Sequence, residues 1–322
     1  MVTQKTLSRL LVIVVLMAVG YYWGEKLSAH WDILRTYPYT WHMPSLLAAL
    51  GCTMVAFLTD AILFQACVNR AMQQKLLSWC MGFVLCNLST LLKYLPGTVW
   101  SYTAQVVWFS QRGLPLSRVV YINGLCSLTA VLTSVLIGAV CGLQYWALFG
   151  GKILVVLGLA LLGNVVLLCA SARVMAACVR GVQRYVTHTI DVFPLAPTFI
   201  VGMQMIYVCQ WIFLSLGGHY ALRGLGVAQP WSQLSAVLFA LSFSWVAGYL
   251  SLLTPGGIGV REGVMYALLQ PITDVQTALM LPIAMRVLYL LVECCFGALG
   301  SFLAVRWRIF SHAPVTLAPA TP

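Results

Sequence analysis

The chain has 322 residues, of which 61% are hydrophobic and 8% charged, and its formal net charge is +11. Soluble domains carry roughly 25% charged residues, so the composition excludes a water-soluble protein and predicts an all-α polytopic membrane protein. Lys and Arg lie between apolar segments, and no zinc-finger or RNA-binding pattern is present. The positive charge therefore indicates membrane orientation and anionic lipid headgroups, and no nucleic acid partner.

About six apolar stretches are long enough to cross a bilayer, which takes about 20 residues. They cover residues 7–24, 44–67, 119–142, 152–172, 198–221 and 277–303. The first follows Lys5 and Arg9 without a small-residue cleavage pattern, so it is predicted to be an uncleaved span. A single membrane domain is expected over 1–311, followed by a Pro-, Ala- and Thr-rich tail at 312–322 that is predicted to be disordered.

Two further apolar stretches, 77–111 and 233–270, are each interrupted by Pro and Gly. The interruptions read Lys93-Tyr94-Leu95-Pro96-Gly97 in the first stretch and Thr254-Pro255-Gly256-Gly257-Ile258-Gly259 in the second. Pro removes a helix donor and Gly loosens the backbone, so helices are expected to end there. We call these interruptions the first break and the second break.

The distribution of Lys and Arg predicts orientation, because cytoplasmic loops are rich in positive charge. The residues predicted to be cytoplasmic are Lys5, Arg9, Arg70, Lys75, Arg112, Arg118, Arg173, Arg180, Arg184, Arg306 and Arg308. Both termini then face the cytoplasm, and each broken stretch begins and ends on one side, as a hairpin that is either re-entrant or crosses twice. The order span, span, hairpin, span occurs at 1–150 and, inverted, at 151–311, as in many transporters. One miscounted crossing would remove this inverted repeat.

The two breaks predict a cavity, because irregular backbone at membrane depth is tolerated only inside protein or beside water. Each break also starts a helix, whose N-terminus offers N–H groups and the positive end of the helix dipole. Two such ends would suit a phosphate. The alternative is that Pro and Gly merely kink or link helices.

Charged residues near the breaks and in the last span are the candidate ligands. Lys93 could meet a phosphate or extend to the cytoplasmic interface, and Arg261 could grip a phosphate in bidentate fashion. Glu262 could cap the helix that follows the second break. Arg286 and Glu293 are seven residues apart and share a helical face. They could form structural ion pairs, bind a headgroup or couple to protons.

Enzyme and metal patterns are missing from the sequence. The 11 Cys lie mostly singly inside apolar segments, where they are interpreted as small packing residues. Neither Cys nor His shows metal-ligand spacing, and no hydrolase, metalloprotease or nucleotide-binding motif is present. No catalytic residue, metal ion or cofactor is predicted, and an enzyme is disfavoured.

Both breaks resemble the transmembrane region of lysylphosphatidylglycerol synthetases, a family that also includes stand-alone membrane proteins. The stronger likeness is the string from Leu253 to Gly263, and Lys93 to Trp100 supports it. The resemblance covers about 10–305 and implies a bacterial inner-membrane protein in which this region acts as a flippase. It implies a stand-alone member, without the cytosolic aminoacyl transferase domain. The positions that carry the family motif are Pro255, Gly256, Gly257, Gly259, Arg261 and Glu262.

The sequence therefore predicts a lipid translocase for an anionic phospholipid or a polyprenyl-linked sugar, with a lipid-modifying enzyme as a further partner. The expected substrate-binding residues are Lys93, Pro96, Gly97, Pro255, Gly256, Gly257, Gly259, Arg261, Glu262, Arg286 and Glu293. One alternative is an accessory subunit of a membrane glycosyltransferase or envelope-assembly system. Another is a membrane-embedded lipid-linked sugar transferase that uses Glu262 or Glu293 as its acidic group.

Overall fold

The computed structural model describes residues 31–36, 38–92, 100–110, 116–183, 195–227, 230–251 and 254–307, with a few single positions before Trp31. These residues form helices and no strands, which confirms the predicted all-α membrane class. Nearly all of the predicted first span 7–24 lies outside the described residues, as do the predicted tail 312–322 and the whole first break, within the segment 93–99.

The described part of the chain contains eleven α-helices and three 3₁₀ turns. The α-helices are α1 Trp31–Thr36, α2 Met43–Ala71, α3 Trp79–Leu92, α4 Trp100–Ser110, α5 Leu116–Gly142, α6 Trp146–Phe149, α7 Lys152–Gln183, α8 Pro197–Gly224, α9 Leu234–Leu250, α10 Val260–Leu269 and α11 Val275–Arg306. The 3₁₀ turns are Leu143–Tyr145, Trp231–Gln233 and Pro255–Gly257.

Six described helices are long and apolar enough to cross a membrane, and five of them match predicted spans. The six are Met43–Ala71, Val119–Tyr145, Lys152–Cys169, Pro197–Gly224, Trp231–Leu250 and Val275–Arg306. The sequence interpretation treated Trp231–Leu250 as one arm of a broken hairpin. Its 20 residues rise about 30 Å at 1.5 Å each, which equals the hydrocarbon thickness, so this arm is long enough to cross alone.

Described helices lie on both sides of each break, and the break itself is described only in the second stretch, from Thr254 onward. Helix α3 packs on α4, and α9 packs on α10. The described lengths of α3, α4 and α10 are 14, 11 and 10 residues, and each falls short of a layer about 30 Å thick. The re-entrant hairpin and the hairpin that crosses twice both stay predictions.

The chain divides into two compact units, and each long helix except α9 contributes to both. The first unit is Met1–Phe57, Val131–Asn164 and Met205–Val292, and the second is Leu58–Ala130, Val165–Gln204 and Glu293–Pro322. Each unit thus draws on both halves of the sequence, and the repeats 1–150 and 151–311 stay a prediction.

Each unit has its own buried core. In the first unit the core is built from α8, α9, α10 and the first half of α11, with Val237, Leu241, Leu269 and Leu281 almost fully buried. In the second unit, the rings of Phe83 on α3 and Phe296 on α11 pack edge to face, 5.2 Å apart. These apolar contacts hold the short helices of both hairpins in place.

Candidate functional site

The second break is shaped by three glycines with positive φ, a conformation that other residues adopt only under strain. The φ angles are 62° at Gly256, 69° at Gly257 and 82° at Gly259. A Cβ on Gly257 would also lie 2.9 Å from the Cα of Gly248 on α9, so two backbones approach closely here. The glycines of the motif therefore turn the chain against α9 and start α10.

Glu262 caps α10 and forms an ion pair with α11. The backbone N–H of Gly259, the residue before α10, donates to Glu262 Oε2 at 2.6 Å. The other carboxylate oxygen lies 3.5 Å from Arg286 Nη1, and the two side chains are 14% and 17% exposed. A charge inside a membrane protein is costly without such partners. Of the alternatives left open by the sequence, the structure thus shows the cap for Glu262 and an ion pair for Arg286.

Arg261 lies over an aromatic side chain of α9, which itself packs against α8. Its guanidinium carbon lies 5.9 Å from the centre of the Trp245 ring, within reach of a cation–π attraction. Trp245 stacks on Tyr249 at 5.3 Å and meets the buried Trp211 edge to face at 5.8 Å. Gly248 leaves room for the aliphatic part of Arg261, since a Cβ there would lie 2.2 Å from Arg261 Cγ.

These residues surround a small cavity that lies entirely within the first unit. Its lining residues are Leu241, Ser244, Trp245, Arg261, Glu262, Met265, Pro282, Met285, Arg286 and Tyr289. The lining carries two guanidinium groups and one carboxylate, a formal charge of +1. The cavity volume is about 10 Å³, which is near the minimum of about 10–15 Å³ for one water molecule. A phosphate group is several times larger, so the site must open before it can take one.

Comparison of the chain with protein-family models and with curated proteins gives no match. The resemblance to the synthetase transmembrane region remains an expectation based on the two motif strings.

The other expected site residues lie elsewhere or outside the described residues. Lys93, Pro96 and Gly97 fall in the undescribed segment 93–99. Pro255 opens the 3₁₀ turn of the second break. Glu293 is 4% exposed and lies on α11 seven residues after Arg286, in the stretch that belongs to the second unit. The structure therefore brings together Arg261, Glu262 and Arg286 from the expected set, beside the glycines of the second break.

Several residues in and beside the cavity lining were not identified from the sequence. Trp245 and Gly248 are three positions apart on α9, a spacing that places them on one helix face, and that spacing was the available signal. Pro282 lies inside α11, one turn before Arg286. Because Pro has no N–H, the carbonyl of Ala278 loses its usual helical partner, which weakens the helix beside the cavity. Within the described residues, no group of three or more His, Cys, Asp or Glu side chains could hold a metal ion.

Proposed function

We propose that this multi-pass membrane protein is a lipid translocase for an anionic phospholipid or polyprenyl-linked headgroup. We further propose that it lies in a bacterial inner membrane with both termini in the cytoplasm. The observation that carries the proposal is the cavity between α9, α10 and α11, with Arg261 and Arg286 on its wall and Glu262 as the only anion among its lining residues. A phosphodiester carries one negative charge, and guanidinium groups bind phosphate oxygens in bidentate fashion. A bound headgroup would balance the formal charge of the lining.

The position of α11 favours a lipid over a soluble anion. Val287, Leu290 and Leu291 follow Arg286 on α11 and are 51%, 39% and 49% exposed. Large apolar side chains with this exposure suit contact with acyl chains on a span. The arginine that lines the cavity is thus less than one helical turn from an apolar outer face. A headgroup could pass between helices while its tails stay in the bilayer.

Glu262 holds the closed state in the proposed mechanism. Its carboxylate occupies the N-terminus of α10 and pairs with Arg286, which are the positions that a phosphate would seek. An incoming headgroup competes with Glu262 for Arg286, and its binding energy opens the cavity. Pro282 provides a weak point in α11 for that movement. The sequence has no nucleotide-binding motif, so a gradient or mass action supplies the direction.

The geometry favours a structural role for Glu262 over a catalytic one. Both of its carboxylate oxygens are engaged, one by the Gly259 N–H and the other by Arg286. A general acid or base has to reach a reacting group directly or through one water. The transferase alternative predicts that Glu262→Gln stops formation of the glycosylated lipid while the protein still binds lipid. The translocase proposal predicts that the wild type forms no such product.

A proteoliposome assay with fluorescent headgroup-labelled lipids tests the proposal. One set of vesicles contains a labelled phospholipid and another a labelled lipid-linked sugar analogue, and an impermeant reductant reports which leaflet holds the label. Wild type should move label between leaflets, and Arg261→Gln and Arg286→Gln should slow this about 10–100-fold. That range corresponds to the roughly 1.5–3 kcal/mol of a hydrogen bond to a charged group.

Arg223→Gln is the matched control, because Arg223 is an exposed arginine in the last turn of α8. It should transport like wild type. Equal rates for all four proteins would reject the site. Rates equal to empty vesicles with both lipids, from protein that is monodisperse, would reject translocation and support the accessory-subunit alternative.

A further inference from the structure

Three sulfur atoms from three different spans lie together in the second unit. Cys126 on α5 donates a hydrogen bond to Cys67 on α2, with 3.5 Å between the two sulfurs. Cys67 in turn donates to the sulfur of Met203 on α8 at 3.6 Å. Cys67 and Met203 are 1% and 2% exposed, and Cys126 is partly buried. We call Cys67, Cys126 and Met203 the sulfur cluster.

The two sulfur–sulfur distances from Cys67 are close to those in a metal site with three sulfur ligands. A metal–thiolate bond is about 2.3 Å long, so sulfurs around a trigonal ion are about 4 Å apart. The two observed distances would need to widen by about 0.4–0.5 Å. Small side-chain rotations provide such a change, and Met is the most adaptable of apolar side chains.

The ligand set selects a soft ion. Thiolate and thioether sulfur favour Cu(I), whereas thioether does not belong to the usual ligands of Zn²⁺, which takes Cys, His or carboxylate in a four-coordinate site. We propose that the sulfur cluster, Cys67, Cys126 and Met203, binds one monovalent soft metal ion of the Cu(I) class. The ion keeps its oxidation state, and each thiol that ligates as a thiolate releases its proton to solvent.

The position of the sulfur cluster along the helices suits this ion. Cys67 is four residues before the end of α2, and Met203 is six residues after the start of α8, so both lie within about 9 Å of those helix ends at 1.5 Å per residue. The positive-inside pattern predicts that these ends are cytoplasmic. That compartment is reducing, so thiols stay free there.

An open groove lies beside the helix segments that carry Cys67 and Met203. The groove has a volume of about 520 Å³ and is lined by Ala66, Asn69, Arg70, Thr198 and Phe199. Ala66 is the chain neighbour of Cys67, and Phe199 lies one helical turn before Met203. The groove therefore opens within about one helical turn of both ligands along α2 and α8.

Titration of the detergent-solubilised chain with copper tests this proposal. The protein is kept reduced and under anaerobic conditions. A chromogenic Cu(I) chelator competes for the metal and reports the amount bound. Wild type should retain one Cu(I) per chain. Cys126→Ala and Met203→Leu should lower the apparent affinity by more than about 100-fold, beyond the roughly 10–100-fold that loss of an outer partner costs. X-ray absorption should show sulfur neighbours at about 2.3 Å.

Cys141→Ala is the matched control, because Cys141 is also on α5 and also partly buried. It should bind copper like wild type. If Cys126→Ala elutes as aggregate, copper affinity is measured on Cys126→Ser and Met203→Leu instead. No copper retained by the reduced wild type, equal binding by Cys126→Ala and Cys141→Ala, or nitrogen and oxygen neighbours around the metal would each overturn the proposal. These outcomes are independent of lipid transport, which uses other residues.

Discussion

A methyl group at position 248 tests how tightly the structure holds Arg261. On the observed backbone, an alanine Cβ would lie 2.2 Å from Arg261 Cγ and 2.7 Å from its Nε. Favourable carbon–carbon contacts are about 3.5–4.0 Å, so the stem of Arg261 must move by more than about 1 Å. The crowded atoms lie in the middle of the side chain, and the guanidinium group must therefore leave its place over Trp245.

The magnitude follows from two opposing terms. Overpacking costs about 1–3 kcal/mol, and replacing a helical glycine by alanine returns up to about 1 kcal/mol. Gly248→Ala should therefore destabilise the protein by about 0–2 kcal/mol and leave it folded. Transport should fall by about 100-fold, because a displacement of 1 Å at a positioned group has this effect on rate. Gly158→Ala on α7 meets no atom within 4 Å and should show only the gain from alanine.

The assay is a double-mutant cycle in which unfolding in detergent and transport in proteoliposomes are measured for each protein. Arg261→Ala removes the crowded Cγ, so in that background Gly248→Ala should stabilise the protein by up to about 1 kcal/mol. The sign of its effect on stability then differs from the effect in wild type. Identical behaviour of Gly248→Ala and Gly158→Ala would refute the reasoning. A cost that persists without the Arg261 side chain would refute it as well.

Three further predictions test the local contacts. Glu262→Gln leaves Arg286 beside an amide and should cost about 1–3 kcal/mol. In the Glu262→Gln background, adding Arg286→Gln should restore most of the lost free energy of unfolding. If the costs of the two substitutions simply add, the ion pair is contradicted. Asn69→Ala removes two hydrogen bonds to the backbone of Leu77, of 2.9 and 2.8 Å, and should speed trypsin cleavage of segment 72–78. Unchanged cleavage would contradict that role. Gln73→Gly should raise the unfolding midpoint by relieving about 1 kcal/mol at a φ of 52°, and a lower midpoint would contradict it.

The local features of the second break could be predicted because the sequence within ten residues determines them. Pro255 and the glycines that follow it end one helix and begin another. Glu262 stands three residues after Gly259, the spacing at which a carboxylate can reach back to the residue before a helix. The negative charge of Glu262 within an apolar stretch required a positively charged partner. The sequence did not identify that partner, because a basic residue from any other span could have paired with Glu262.

Contacts between distant segments were beyond sequence reasoning. Gly248 is important because the second break and the aliphatic part of Arg261 both lie against it. Its neighbours in the sequence of α9 are apolar, as in any packed helix, so they did not indicate this role. The members of the sulfur cluster are 59 and 136 residues apart. Each cysteine taken alone fits the interpretation as a small packing residue. Only the arrangement of three spans shows that two thiols and a thioether meet.

The closed cavity gives a physical reason why substrate binding and opening should be coupled. With Glu262 bonded to both the start of α10 and Arg286, the two helices are joined by charge, and water-sized space is all that remains between them. A ligand that binds only the open state has its apparent affinity reduced by the fraction of molecules that are open. A phosphate that replaces Glu262 at Arg286 removes the interaction that holds the helices together. In the proposed translocase, the same exchange would recognise the headgroup and release α10 from α11, whereas a neutral headgroup would leave the pair intact and the cavity closed.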